Sequence, residues 1–408
     1  FMESIRYSVN VEQINFKLNN YKLSNYYELL TMNFKTTLHP KLYTLNLKKM
    51  NKNHLIIMAG GVGSRFWPMS TPEKPKQFID VLGIGKSLIQ LTVERFDTVI
   101  PIENVWIVTS EKYKSIVREQ LPGVPETQIL LEPCMRNTAP CIEYVSRKIY
   151  AKYPEANLVF SPADHIVLDV NRFREVIKDS LEFTENRDAI LTLGMMPTRP
   201  ETGYGYIKSC GCQQSTETHV EAHGRVSDIH KVEAFKEKPN LETAKSYLAD
   251  GGYYWNAGIF IWSAKMVVNT IASLVPDLAS VFDKIEPYLY TEQEQEIINQ
   301  YFPTCPNISI DYAVMEKSKD VFVYPANFGW SDLGTWGSLY THLEQDENNN
   351  AVVGQNVNMV DCKNCVVHTP SERKVVIQGL DNYIVAESDN TLLICKKEEE
   401  QHIKDWQK

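Results

Sequence analysis

From residue 54 onward, short apolar runs alternate with stretches whose apolar residues recur every three or four positions, and this alternation restricts the chain to a layered α/β architecture. Leu55 to Ala59, Val105 to Thr109, Ile129 to Leu131, Leu158 to Phe160 and Ile190 to Gly194 read as strands. Between them Ile89, Val93, Phe96 and Ile100 share one helix face, as do Thr138, Ile142, Val145 and Ile149. Further helices are predicted near 111–120 and over roughly 171–185. This order predicts a doubly wound, Rossmann-like core of parallel strands with crossover helices, in which ligands sit at the carboxyl ends of the strands.

Beyond residue 200 the pattern changes to turns and short strands, then to a helical stretch over about 264–300. Residues 350–396 carry brief β-like runs, among them Lys374-Val-Val-Ile-Gln and Thr391-Leu-Leu-Ile-Cys, which predict a small C-terminal β domain resembling a few rungs of a β-helix. The last dozen residues read as a charged helix. At 408 residues two or three domains are expected. The division is 1–49 as an N-terminal extension, 50–340 as the main α/β domain, and 341–408 as the β domain with its terminal helix. Residues 1–49 are rich in Asn, Tyr, Leu and Lys and lack a clean period, so Met50 is the expected initiator. A natively expressed protein whose intact mass includes residues 1–49 would refute that expectation.

The net charge of −9 argues against a nucleic-acid-binding chain, which usually carries a basic excess. No apolar window is long enough for a membrane span, the start Phe-Met-Glu-Ser lacks the basic-then-apolar order expected of a secretory signal, and the scattered cysteines lead to the expectation of a reducing cytoplasm. The eight cysteines are scattered. Cys210-Gly-Cys212 and Cys362-Lys-Asn-Cys365 lack a matching second pair, and reduced thiols outweigh a zinc site.

Directly after the first strand, the segment from Met58 to Phe78 gathers Gly60, Gly61 and Gly63 with Arg65, Lys74 and Lys76. Glycines that reach positive φ let backbone N–H groups approach an anion, and fixed cations neutralise it. A dinucleotide fingerprint is disfavoured because Phe66 stands where its third glycine belongs. A Walker loop ending in Gly85-Lys-Ser87 is disfavoured because Asp80 takes the place of its first glycine, and Ser87 reads as a helix cap instead.

The pattern G-G-x-G-x-R with Pro75-Lys-Gln-Phe78 resembles the signature of sugar-phosphate nucleotidylyltransferases, in the form found in bacterial mannose-1-phosphate guanylyltransferases. Further matches run along most of residues 54–400. They include Glu132-Pro-x-x-Arg-Asn-Thr-Ala-Pro140, Pro162-Ala-Asp-His165, Glu201-Thr-Gly-Tyr-Gly-Tyr-Ile207, Phe235-Lys-Glu-Lys-Pro239, Trp255-Asn-Ala-Gly258, Ser309 to Glu316 and Gly329-Trp-Ser-Asp-Leu-Gly-Thr-Trp336.

The resemblance implies transfer of GMP from GTP to α-D-mannose 1-phosphate, giving GDP-mannose and pyrophosphate. The attacking group is a phosphate oxygen already ionised at neutral pH, its second pKa being about 6, so no general base is needed. It further implies Mg²⁺ or another divalent cation held by Asp164 and Asp332. Arg65 and Lys76 are expected to carry the catalytic charge, and Lys74 to be solvated. Ala59, Gly60, Gly61, Gly63, Arg136, Asn137 and Thr138 are assigned to the nucleotide, and Thr202, Gly203, Glu237, Lys238, Asn256 and Gly258 to the sugar phosphate. His165 is expected to orient its loop, Tyr204 and Tyr206 to be core or wall, and Asp311 and Glu316 stay outside the metal set. Alternatives are another sugar or nucleotide in the same chemistry, or a catalytically silent sugar-nucleotide-binding homologue. A homodimer is one possible assembly. Long members carry a cupin-type isomerase domain with a His and Glu cluster, whereas beyond residue 350 only His368 and His402 occur, so no isomerase activity is expected.

Overall fold

The computed structural model describes residues 52–61, 63–185, 187–210 and 228–407. The expectations for residues 1–49 and for Cys212 fall outside the described residues.

A nine-stranded sheet organises the chain. Its strands are β1 (Asn53–Met58), β2 (Val105–Ser110), β3 (Ile129–Glu132), β4 (Asn157–Pro162), β6 (Ile190–Met195), β7 (Tyr206–Ser209), β8 (His230–Lys236), β9 (Tyr253–Ser263) and β10 (Val321–Ala326). A short β5 (Ile166–Val167) pairs with β11 (Trp330–Ser331) outside it. In space the order is β3-β2-β1-β4-β9-β6-β10-β8-β7. The first four strands are parallel, as the alternation predicts.

The sheet then departs from a purely parallel winding. β9 lies antiparallel between β4 and β6, with Val159 and Leu191 both opposite Ile261. Strand alternation explains why so apolar a strand occupies the centre. Trp255, Ala257, Ile259 and Ile261 enter the core on one face, and Tyr254, Phe260 and Trp262 enter that on the other. β1 divides in the same way, Leu55 and Ile57 to one side and Ile56 to the other.

Helices cover both faces. Leu88–Glu94, Lys114–Gln120 and Val170–Glu185 pack on the first through Ile89, Val93, Val117, Phe173 and Ile177. Thr138–Lys152, Ala264–Leu274, Pro276–Ile285 and Glu294–Tyr301 pack on the second through Ile142, Val145, Ile149, Ile271 and Phe282. Ser87 caps its helix, its backbone N–H donating to Gln90 Oε1 at 2.9 Å, which completes the near-Walker segment as a helix start.

The C-terminal strands stack as rungs. β12 (Ala351–Val353), β14 (Val366–His368) and β16 (Tyr383–Ser388) are parallel neighbours, and so are β13 (Val357–Val360) and β15 (Val375–Gln378). β17 (Thr391–Lys396) folds back antiparallel on β16. Cys362, Cys365, Val367, Ile377 and Val385 fill the interior between rungs. The charged terminal segment is a 3₁₀ helix, Lys397–Asp405, rather than an α-helix, because Ile403 is its one buried residue and no apolar stripe exists to sustain a longer turn. Val366, Ile384, Ala386, Leu393 and Ile403 join Phe66, Leu333 and Trp336 in a further core, so the rungs rest against the glycine-loop side of the sheet. Burial of an isoleucine such as Ile403 stabilises by roughly 1.5–3 kcal/mol.

Among the described residues no helix is long and apolar enough to cross a membrane. None of the seven described cysteines is in a disulfide.

Candidate active site

The loop after β1 takes its shape from glycine. Gly61 and Gly63 have φ of +89° and +64°, and a Cβ at Gly63 would stand 2.6 Å from Lys76 Cβ. Only glycine allows both that backbone conformation and that approach. Gln77, buried in the following 3₁₀ turn, fastens the loop: its Nε2 donates to the carbonyls of Ala59 at 3.1 Å and Gly61 at 3.2 Å. Thr109 Oγ1 adds a third tie, donating to Ala59 O at 3.0 Å.

Lys76 and Lys74 separate by environment. Lys74 is exposed, as expected, whereas Lys76 is buried and its ammonium is saturated. Lys76 Nζ donates to the carbonyls of Asp332 at 2.8 Å and Leu333 at 3.0 Å, and lies 2.8 Å from Asp164 Oδ2. Burial pushes the Asp164 carboxyl up, but the charge of Lys76 and its hydrogen bond outweigh burial and hold it below its ordinary value. Asp164 therefore stays ionised beside a fixed cation.

His165 is placed by partners on both sides. Trp330 Nε1 donates to its Nδ1 at 3.2 Å, and Arg95 Nη2 donates to its carbonyl at 2.6 Å. Burial keeps the imidazole neutral by lowering its pKa. With Nδ1 accepting, the ring hydrogen sits on Nε2, which faces Asp164 Oδ1 at 3.8 Å. The expected orienting role fits these bonds.

Asp332 follows β11 and is aligned by Tyr204, whose hydroxyl donates to Oδ1 at 2.7 Å, and by the Gly334 N–H at 2.9 Å. Three cavities meet at this residue. One of 310 Å³ holds Gly63, Arg65, Lys76, Asp164, His165 and Asp332. A second of 230 Å³ holds Thr138, Gly203, Glu237, Lys238, Asn256, Gly258 and Asp311, again with Asp332. The widest, 950 Å³, joins Arg65 to Arg199, Thr202, Lys238 and Asp332. The structure thus gathers cations and carboxylates spread over most of the chain into one connected cleft.

On the second cavity's wall Lys238 Nζ lies 2.7 Å from Glu237 Oε1. Burial pulls the ammonium down, and Glu237 more than offsets this, leaving it above its ordinary value. Asn256 spans the cavity wall: Nδ2 donates to Asp311 Oδ1 at 3.1 Å, and Oδ1 accepts from the Gly258 N–H at 3.1 Å. Gly205 lies close against this wall: a Cβ there would stand 2.7 Å from Glu237 Oε2 and would push the carboxylate aside. Asp311 opens a π-helical turn, Asp311–Met315, and burial together with Glu237 pushes it up to about 6. Its presence in the cavity goes beyond the sequence reading, which left it unassigned, whereas Glu316 is exposed.

The residues assigned to the nucleotide divide. Thr138 lines the second cavity and accepts the Ile310 N–H through Oγ1 at 2.8 Å. Arg136 instead donates to the carbonyl of Pro303, and Asn137, at φ +68°, caps the helix by accepting the Thr138 N–H. Neither lines the three cavities. Ala59 is buried beneath the loop, Gly60 and Gly61 are on its exposed crest, and Gly63 enters the first cavity.

Tyr204, Gln77 and Asp311 are the contributors that sequence reasoning left without a role. Gln77, Tyr204 and Asp311 stand inside the motifs Pro75 to Phe78, Glu201 to Ile207 and Ser309 to Glu316, so motif membership was the available signal. Among the described residues no group of three or more His, Cys, Asp or Glu side chains is placed to hold a metal ion.

Comparison with known proteins identifies the family. The family profile described as "Nucleotidyl transferase" matches residues 54–349. A mannose-1-phosphate guanylyltransferase of Salmonella montevideo is 36% identical over 343 residues, covering 83% of this chain and 70% of that protein. One from Escherichia coli is 32% identical, covering 86% and 74%. Among solved structures, a Thermus thermophilus protein titled a mannose-1-phosphate geranyltransferase superposes with a TM-score of 0.76 at 29% identity, covering 87% of this chain and 98% of its own. The chain belongs to the nucleotidyl transferase family, and within it is a relative of the mannose-1-phosphate guanylyltransferases.

Proposed function

We propose that this enzyme transfers GMP from GTP to α-D-mannose 1-phosphate, releasing pyrophosphate and forming GDP-mannose. The observation that carries this reading is the junction at Asp332, where a cavity holding Arg65, Lys76 and Asp164 meets one holding Glu237, Lys238 and Asn256. The first suits a triphosphate and the second a sugar phosphate.

A phosphate oxygen of the sugar phosphate attacks the α-phosphorus of GTP as the bond to the bridging oxygen of pyrophosphate breaks, and the leaving group keeps the electron pair. Arg65 and Lys76 supply preorganised positive charge where negative charge accumulates. Lys76 arrives already oriented, because two carbonyls and Asp164 fix its ammonium before substrate binds. Lys238 holds the sugar phosphate, and Glu237 and Asn256 accept and donate hydrogen bonds to sugar hydroxyls.

The carboxylates suit a hard divalent cation. Asp164 commits Oδ2 to Lys76 and Asp332 commits Oδ1 to Tyr204 and Gly334, so each retains a second oxygen in a cavity they share. Mg²⁺ takes few protein carboxylates and completes its shell with phosphate oxygens and water, which matches that donor set. When bound, it would draw the two anions together and neutralise charge on the α-phosphate. The net charge of −9 speaks against nucleic acid as a partner, so the substrate phosphates fall to the local cations of the cleft, and the free thiols support a cytoplasmic location.

Pyrophosphate release, measured with each nucleoside triphosphate against each sugar 1-phosphate with and without Mg²⁺, tests the reading. GTP with mannose 1-phosphate should dominate and require the metal; a preference for another pair, or no turnover with any, would overturn it. Asp164→Asn should lower kcat by roughly 10²–10³-fold with the circular dichroism spectrum intact.

A further inference from the structure

The 3₁₀ segment Lys397–Asp405 is not a passive tail. It is tied to the glycine-loop side of the cleft at three points. Lys397 Nζ sits 3.7 Å from the centre of the Tyr340 ring, Glu400 Oε2 accepts the Gly337 N–H at 2.7 Å, and Ile403 is fully buried in the core that contains Phe66, Leu333 and Trp336. Phe66 is the chain neighbour of Arg65, and Leu333 is the neighbour of Asp332. The anchor of the segment therefore bears on the residues that frame the first cavity.

Lys404 follows Ile403 directly and lines that cavity together with Arg65, Lys76, Asp164 and Asp332. Its neighbour Asp405 instead faces His402, at 3.6 Å, and among the described residues Lys404 has no carboxylate partner. Lys76, by contrast, is saturated by Asp164 and two carbonyls. A cavity built for a polyanion thus contains one committed cation and two exposed ones, Arg65 and Lys404.

We infer that Lys404 is a substrate-binding residue, which contacts the β- and γ-phosphates of the nucleoside triphosphate and the departing pyrophosphate. The C-terminal segment completes the phosphate subsite that the glycine loop begins. This rests on the reading of the first cavity as the triphosphate side. The contact is selective in its logic: it serves the polyphosphate, while the sugar phosphate is met across the cleft by Lys238. Since Lys404 is exposed, its attraction is screened by salt and strongest at low ionic strength.

Lys404→Gln and Lys404→Arg test the proposal, using GTP and mannose 1-phosphate in steady-state assays and inorganic pyrophosphate with Mg²⁺ in calorimetric titrations. In Lys404→Gln the KM for GTP and the Kd for pyrophosphate should each rise about tenfold, the size expected for one charged hydrogen bond. The KM for mannose 1-phosphate and the thermal midpoint should hold, and Lys404→Arg should restore most of the loss. An unchanged KM for GTP, or an equal rise in both KM values, would overturn the assignment, the latter being what a loosened fold produces. Wild-type protein that binds pyrophosphate through Lys404 yet makes no GDP-mannose would sink the functional reading and keep this one. Turnover of GTP that is indifferent to Lys404 would do the reverse.

Discussion

Residues of the same type diverge in this site according to what surrounds them. Lys74 and Lys76 are two positions apart in the same motif, yet one is solvated and the other is held by Asp164, Asp332 and Leu333. Tyr204 shows the opposite case, a residue expected to be wall that also does polar work. Burial pushes its phenol up and the Asp332 carboxylate pushes it further, so it remains a donor throughout any ordinary assay range. Tyr204→Phe removes one of the two donors to Asp332 Oδ1 and leaves the Gly334 N–H. A fall in kcat of about 3–10-fold with little change in either KM is expected, the size of one ordinary hydrogen bond, because the Gly334 N–H still holds the same oxygen. Steady-state kinetics would show it, and wild-type kcat would mean that Gly334 alone orients the carboxylate. Motif and strand order singled out Arg65, Lys76, Asp164 and Asp332, which line one cavity in the structure; the hydroxyl that bonds Asp332 was not legible, because an aromatic between glycines packs in either role.

Elements carry a second layer of control. β3 ends in Glu132, whose carboxyl is buried with Oε1 unpartnered, and burial pushes it up to about 8 against a weaker opposing hydrogen bond with Cys141. The folded protein holds a proton there that the unfolded chain releases near its ordinary value of 4.5. Stability from this group is therefore present below pH 4.5 and is lost as pH rises towards 8. Glu132→Gln should melt higher than wild type at pH 8.5, with the difference shrinking towards pH 5; an identical difference at both pH values would contradict the assignment. The strands themselves were legible, since a run of buried residues shows at close range. The antiparallel seat of β9 between β4 and β6 was not, because an apolar strand has the same period in either direction.

At the scale of the whole molecule, the glycine-loop side of the sheet and the C-terminal rungs share one core, and His368 lies buried beneath it. Its ring meets Trp336 edge-on at 6.0 Å, neither ring nitrogen has a hydrogen-bond partner, and burial lowers its pKa to about 4. A neutral imidazole in the fold faces a protonated one in the unfolded chain below 6.5, so stability present above pH 6.5 drains away as pH falls to 4. His368→Leu should flatten the decline of thermal midpoint across that window, and a slope equal to wild type would show that other groups set it.

The amino-acid sequence by itself determined the layered α/β class, the glycine loop, the stacked β-runs and the residue types that phosphate chemistry needs. These are written in periodicity and short spacing, which act between neighbours in the chain. Only the tertiary structure decided which charges share a cavity. Lys76 meets the Asp332 carbonyl across 256 positions, Tyr204 meets the Asp332 carboxylate across 128, and Lys404 reaches the glycine loop from the far end of the chain. Such meetings depend on how buried faces pack against one another, and no local pattern encodes them.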